Sequence, residues 1–270
     1  MSEITQSHEY NELISSIQAL ETELAELVLK RDELLYHVCP RLQTEYMLKV
    51  GKLEYAVYEM QIKILRTKRE IEIIQSFLNR EQPYVLADVE KQLNLEYEEY
   101  TKNLLDKQKE IDEARFKNAN RGKLLSDEEG VELKKLYTQI VKKIHPDINP
   151  NTTEQEHSQF SDAVEAYKNG SLSELRIIYL LLGKTIPTAM NTQNTMEKLT
   201  AKREMLIEEK CYLCDKINKI KNTFPYNTKD LLLDEKKMQS KIDDLSNLLT
   251  EYNDQYKGIK NYLSEMLNNP

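Results

Sequence analysis

His145, Pro146 and Asp147 set an imidazole and a carboxylate on either side of a proline. Such a pair can do two kinds of chemistry: move a proton during catalysis, or recognise a partner through charge-assisted hydrogen bonds. Catalysis is the weaker reading. The chain has no glycine-rich phosphate loop and no nucleophile motif, and no residue near His145 in sequence can be identified as orienting it. His8, His37 and His157 lack ligand-like spacing, and the carboxylates are scattered along helix exteriors. The chain is therefore not expected to be an enzyme.

The cysteines offer a second chemistry. Cys211 and Cys214 are one helical turn apart, and Cys39 lies beside His37 at a proline corner. Were those two regions to meet, a tetrahedral zinc site of three cysteines and one histidine would be geometrically possible. Zinc ligands normally come in pairs from turns, however, and a helical cysteine is usually a small buried hydrophobe. No metal or cofactor is expected, and no βαβ pattern supports a thioredoxin-like role.

The elements around His145 are well marked. Leu133, Leu136, Tyr137, Ile140, Val141 and Ile144 follow the i, i+3, i+4, i+7 spacing of one buried helix face, while Lys134, Lys135, Lys142 and Lys143 project on the other side. Pro146 disfavours helical backbone at His145, so the helix must stop at Ile144 or His145, presenting His145 and Asp147 at an exposed corner. Pro150 stiffens the loop. Thr153 with Glu156 reads as a capping box, and Phe160, Ala163, Val164 and Tyr167 supply a second helical stripe. Two antiparallel helices should face each other.

The segments LKKLYTQIVKKIHPDINPN and EHSQFSDAVEAYKNG resemble helix II, the His-Pro-Asp loop and helix III of the J-domain (DnaJ-like) family over roughly residues 126 to 170. The Tyr-x-x-Leu-Gly pattern of helix I is absent before Ser126, so that helix is either supplied by the segment around 107 to 120 or missing. Ile148 stands where a lysine is common. The resemblance implies a co-chaperone whose partner is a DnaK-type ATP-dependent chaperone. On that reading His145, Pro146 and Asp147, with Lys134, Lys135, Lys142 and Lys143, bind the partner. Asp147 would meet an arginine through a charge-assisted hydrogen bond. Leu136, Tyr137, Ile140, Phe160, Ala163 and Tyr167 would form the packing core. Docking would favour the partner's ATP-hydrolysing, client-trapping state.

Composition bounds the rest. The 270 residues are 31% charged, with no Trp, 6 Gly and 7 Pro, a poverty of helix breakers that argues for long helices. The 38 basic residues against 46 acidic ones give a net charge of −8, so electrostatic nucleic-acid binding is not expected. The longest apolar run, Ile177 to Leu182, is too short to span a bilayer, and the N-terminus has no secretory pattern, so a cytoplasmic protein is expected.

Leu13, Ile17, Leu20, Leu24, Leu27, Arg31, Leu34 and Val38 form a heptad seam interrupted only by Arg31, and Tyr46 to Leu78 carry a second. Pro40 should turn the chain between them, making residues 1 to 82 a helical hairpin. Residues 83 to 122 read as a connecting helix with Leu86, Val89, Leu93, Tyr97, Tyr100 and Leu104 facing inward. Residues 123 to 186 form the J-like module, with Gly170 as a C-cap and Leu175, Ile178, Tyr179 and Leu182 closing its core. Residues 187 to 270 form a second hairpin, turned at Phe224-Pro225-Tyr226-Asn227. The expectation is an all-α protein, a central J-like module flanked by long antiparallel coiled-coil hairpins. The arms could hold only themselves together, form a homodimer, or receive a client or scaffold. The alternative function is a coiled-coil scaffold or adaptor whose J-like module is degenerate and stimulates no ATPase.

Overall fold

The computed structural model describes residues 2–119, 125–149, 152–182 and 196–268. Among these there is no strand, and the chain is all-α. Helix α1 (Ser2–Glu33) is followed by a π-helical turn at Leu34–Val38, α2 (Cys39–Tyr46), a second π turn at Met47–Gly51 and α3 (Lys52–Leu78). Then come α4 (Leu86–Glu96), α5 (Glu98–Ala119), α6 (Asp127–Ile144), α7 (Glu154–Lys168), α8 (Leu172–Leu182), α9 (Met196–Asn222), α10 (Lys229–Leu233) and α11 (Glu235–Asn268). Pro150, the end of the expected J-like module beyond Leu182 and the start of the expected second hairpin before Met196 lie outside the described residues.

Pro40 does not turn the chain. Cys39 keeps helical dihedrals (φ −61°, ψ −46°), and its N–H donates to the Leu34 carbonyl five residues back. Proline has no N–H to give and its ring crowds the carbonyl four residues earlier. A π turn just before it shifts the hydrogen-bond register by one residue, which lets the helix pass the proline. The second π turn ends at buried Gly51, where a Cβ would stand 2.9 Å from Met47 Sδ and 3.8 Å from Ile111 of α5. A side chain there would push the Met47 thioether aside while only touching Ile111.

The chain divides into two compact units that are each discontinuous in sequence: Met1–Pro40 with Gly122–Asn227, and Arg41–Arg121 with Thr228–Pro270. In the first, α1 packs along α9, α6, α7 and α8 pack on one another, and α6 packs on α1. Its core joins Leu24, Ala25 and Val28 of α1 to Tyr137 and Ile140 of α6, Ala163 and Tyr167 of α7, Leu175 of α8 and Leu206 and Leu213 of α9. In the second, α3 packs along α11 on one side and against α4 and α5 on another. Ile73 and Ile74 there meet Val89 and Leu93 of α4 and Leu263 of α11.

The expected hairpins are therefore replaced by pairings between distant segments, and those pairings are parallel. In the first unit Lys202 meets Glu21, Lys210 meets Glu23, and Lys219 and Ile220 lie beside Leu35, so later residues meet later residues. In the second, Lys241 reaches Glu54 while Gly258, Ile259 and Tyr262 adjoin Lys68, Ile71 and Glu72. A heptad seam states that a helix has an apolar stripe and leaves its partner and direction open. The connecting segment also splits, because Tyr97 leaves helical geometry (φ −107°, ψ 11°). Val89 and Leu93 face inward as expected, whereas Leu86 and Tyr100 are exposed.

The pairing of α1 with α9 rests on fully buried leucines, so Leu206→Ala should lower unfolding free energy by about 2–4 kcal/mol in urea titration. Exposed Leu86→Ala should change it by less than about 0.5 kcal/mol.

Candidate functional site

Helix α6 starts at a reciprocal cap. The Ser126 hydroxyl accepts from the Glu129 N–H at 3.2 Å, and the Ser126 N–H donates to Glu129 Oε2 at 2.9 Å. Its apolar stripe packs inward as the spacing predicts: Leu133, Tyr137, Ile140, Val141 and Ile144 are buried and Leu136 is half-buried. Lys134, Lys135, Lys142 and Lys143 are exposed. Lys134 is tied to Glu33 of α1, and Lys143 Nζ lies 5.0 Å from the centroid of the Tyr179 ring. Across the loop, α7 begins at the expected Thr153–Glu156 capping box and ends beside Gly170, whose φ of +68° is the left-handed geometry glycine accepts without strain. His145 meets Phe160 and Tyr137 meets Tyr167, so earlier residues of one helix meet later residues of the other and the pair is antiparallel.

The corner itself departs from expectation. His145 takes extended backbone (φ −66°, ψ 126°), and its carbonyl accepts from the Ile148 and Asn149 N–H groups at 3.1 and 2.8 Å. The Asn149 side-chain amide donates to the Lys142 carbonyl at 3.0 Å, closing the helix end. The imidazole is not displayed: His145 is 3% exposed, with its ring edge-on to Phe160 at a centroid distance of 4.7 Å. Its Nδ1 accepts the Asp147 N–H at 3.1 Å, which fixes an unprotonated Nδ1, and lies 3.8 Å from Asp147 Oδ2. Pro146 is half-buried, Asp147 retains 41% of its side-chain exposure, and Ile148 is buried. The expected exposed corner is thus exposed at Asp147 alone. The cause is that a ring turned back to accept the Asp147 amide must lie on the α7 surface.

Burial pushes His145 down to about 4, with Arg31 acting in the same direction and the Asp147 carboxylate opposing. On α9, Glu209 faces Asp147. Burial, followed by that carboxylate, raises its pKa, while Lys216 works the other way.

Under the corner lies a polar contact that the sequence did not reveal. Asp32 of α1 is completely buried. Its Oδ2 accepts the Tyr137 hydroxyl at 2.6 Å and its Oδ1 accepts Arg31 Nε at 2.7 Å. Burial and then the Asp32 charge push the Tyr137 phenol well above its usual range, so it stays a donor. The Tyr137 ring stacks on Tyr167 at 4.2 Å and 10°, and His37 meets Tyr167 edge-on at 4.8 Å. Both charged residues were legible only as a flaw, since Arg31 interrupts an otherwise apolar seam. The helix packed against α6 is therefore α1, and His37 of the π turn that follows it meets Tyr167 of α7. The segment 107–120, a candidate for that place, belongs to α5, which packs with α3 in the second unit.

The zinc arrangement is not formed. Among the described residues no group of three or more His, Cys, Asp or Glu is placed to hold a metal ion. Cys39 is buried, which raises its thiol pKa, whereas Cys211 is exposed. No described helix is long and apolar enough to cross a membrane. Comparison with models of known families, with curated proteins and with solved structures returns no match to this chain.

Two measurements follow from this geometry. Tyr137→Phe removes a donor from a buried carboxylate and should cost about 1–3 kcal/mol in urea unfolding. An unfolded imidazole takes its proton near 6.5, whereas the folded His145 does so near 4, so the unfolded chain binds more protons between those values. That contribution to stability is complete above about pH 6.5, falls as pH drops through the window, and levels off below about 4. Imidazole NMR should show one histidine titrating near 4, and the urea midpoint should fall more steeply over this window for the wild type than for His145→Gln.

Proposed function

We propose that this chain is a J-domain co-chaperone that stimulates ATP hydrolysis and client capture by a DnaK-type chaperone. The observation that carries the reading is the antiparallel pair α6 and α7, closed by His145-Pro146-Asp147 and flanked by exposed lysines on α6. In this reading α1 takes the place of helix I. Leu24, Ala25 and Val28 supply its apolar contacts, and Asp32 fastens its end to Tyr137. The buried imidazole acts as a positioning residue: its Nδ1 accepts the Asp147 amide and so fixes the backbone that carries the carboxylate. Asp147 then offers a half-exposed carboxylate to a partner cation, and Lys135, Lys142 and Lys143 supply complementary charge that speeds encounter and fixes register. The protein does no chemistry itself. It shifts the partner toward its hydrolysing state by binding that state more tightly.

A specific observation favours a second reading. With His145 buried and Asp147 faced by Glu209 of α9, the corner also serves as a helix stop within a coiled-coil scaffold that acts on no ATPase. In that case the parallel α1–α9 and α3–α11 pairs would be the functional surface, holding a client, a scaffold or a second copy.

Single-turnover ATP hydrolysis by a DnaK-type chaperone separates the two. The co-chaperone reading expects wild-type chain to accelerate hydrolysis, and Asp147→Asn to lose at least about tenfold of that acceleration at unchanged circular dichroism, a loss equivalent to about 1.4 kcal/mol of docking energy. His145→Gln should lose it as well. No acceleration with wild type, or equal acceleration with Asp147→Asn, supports the scaffold.

A further inference from the structure

A groove between the end of α1 and α9, apart from the His-Pro-Asp corner and from the α6 lysines, has a composition that differs from the rest of the molecule. It is an open trough of about 380 Å³, lined by Arg31, Leu35 and Tyr36 on one side and Lys216, Lys219 and Ile220 on the other. Its charged lining residues are all cationic, in a chain whose net charge is −8. Its other lining residues are apolar or aromatic, and Leu35 is 41% exposed. A leucine left open beside an aliphatic and an aromatic side chain gives the trough an apolar floor. The helix pair that forms it is held by buried leucines and by the Lys202–Glu21 and Lys210–Glu23 pairs nearer the start of α9, so the walls are set without any occupant.

We propose that this groove binds an acidic peptide segment carrying apolar side chains, with leucine- or phenylalanine-type groups on Leu35, Tyr36 and Ile220 and carboxylates at Arg31, Lys216 and Lys219. The chemistry selects this occupant over others. A lone phosphate or carboxylate would leave the apolar floor uncovered and the volume unfilled. A nucleic-acid backbone needs a run of many cations and would meet repulsion from the acidic remainder of the chain. A basic or purely apolar segment would leave Lys216 and Lys219 facing it unanswered. Lys216 is already placed: its Nζ stands 4.0 Å from the centroid of the Tyr212 ring, which holds the ammonium at the groove wall. Arg31 is likewise fixed by its bond to Asp32. Two pre-positioned cations lose less side-chain freedom on binding than two mobile ones. This proposal is independent of whether the chain acts on a chaperone.

The test uses the full chain and two fluorescein-labelled model peptides in fluorescence anisotropy: one built of Glu, Leu and Phe at helical spacing, the other with Lys at each Glu. A diffuse electrostatic contact with a chain of charge −8 favours the basic peptide, so saturable binding that prefers the acidic one requires a local cationic groove. The double variant Lys216→Glu, Lys219→Glu should weaken the acidic peptide by about tenfold, while Lys142→Glu with Lys143→Glu on α6 should leave it unchanged. Leu35→Ser should weaken it with the charges intact, and circular dichroism of each variant establishes that the helices remain. Equal or tighter binding of the basic peptide, no binding of the acidic one up to about 1 mM, or a loss in the α6 variant without one in the α9 variant overturns the proposal.

Discussion

A carboxylate with no access to water fixes the first unit. Asp32 is fully buried with a donor on each carboxylate oxygen, Arg31 on one and Tyr137 on the other, and Tyr137 belongs to a helix more than a hundred residues away in sequence. An apolar stripe alone would tolerate α1 sliding or rotating by a turn against α6. A buried ion with two directional donors does not, because any other register strands the charge at a cost of about 3–5 kcal/mol. Everything beside the corner follows from that register. The Tyr137 ring lies flat on Tyr167, His37 closes on the far face of Tyr167, and Glu33 comes within reach of Lys134.

What the sequence made legible, and what it hid, divides along the range of the interactions involved. Local rules worked. The stripe from Leu133 to Ile144, the Thr153–Glu156 cap and the glycine at Gly170 are each decided within a few residues, and each forms as its chemistry requires. The antiparallel return of α7 was also readable, because Pro146 and a short loop leave few alternatives. The arms are not legible for a physical reason: seam spacing carries no information on partner or direction, and a proline does not always end a helix. At Pro40 a π turn absorbs the misfit, a device that needs only one residue of altered register and leaves no composition trace.

The site was half legible for a related reason. Lys134, Lys135, Lys142 and Lys143 are exposed because nothing apolar on them asks for burial, and sequence states that directly. The fate of His145 was not so stated. A histidine beside a proline reads as a displayed ring, yet a neutral imidazole is also a flat amphipathic group whose Nδ1 can accept a backbone amide two residues on. Once it does so, its remaining edge is apolar enough to rest on Phe160. Desolvation then holds it neutral across the physiological range, so this histidine positions its neighbour without sensing ordinary pH.

The same contact constrains any role for Asp147. Its amide is spent on the ring, so its backbone is fixed while its carboxylate is left half in water, facing Glu209 across the gap to α9. A carboxylate beside a second acid is a better ligand for a cation than one already paired, because an incoming guanidinium or ammonium relieves repulsion as it gains a hydrogen bond. On the co-chaperone reading, partner binding at this corner would depend on how closely α1 holds α9, through Leu206, Leu213 and the lysine–glutamate pairs along their seam.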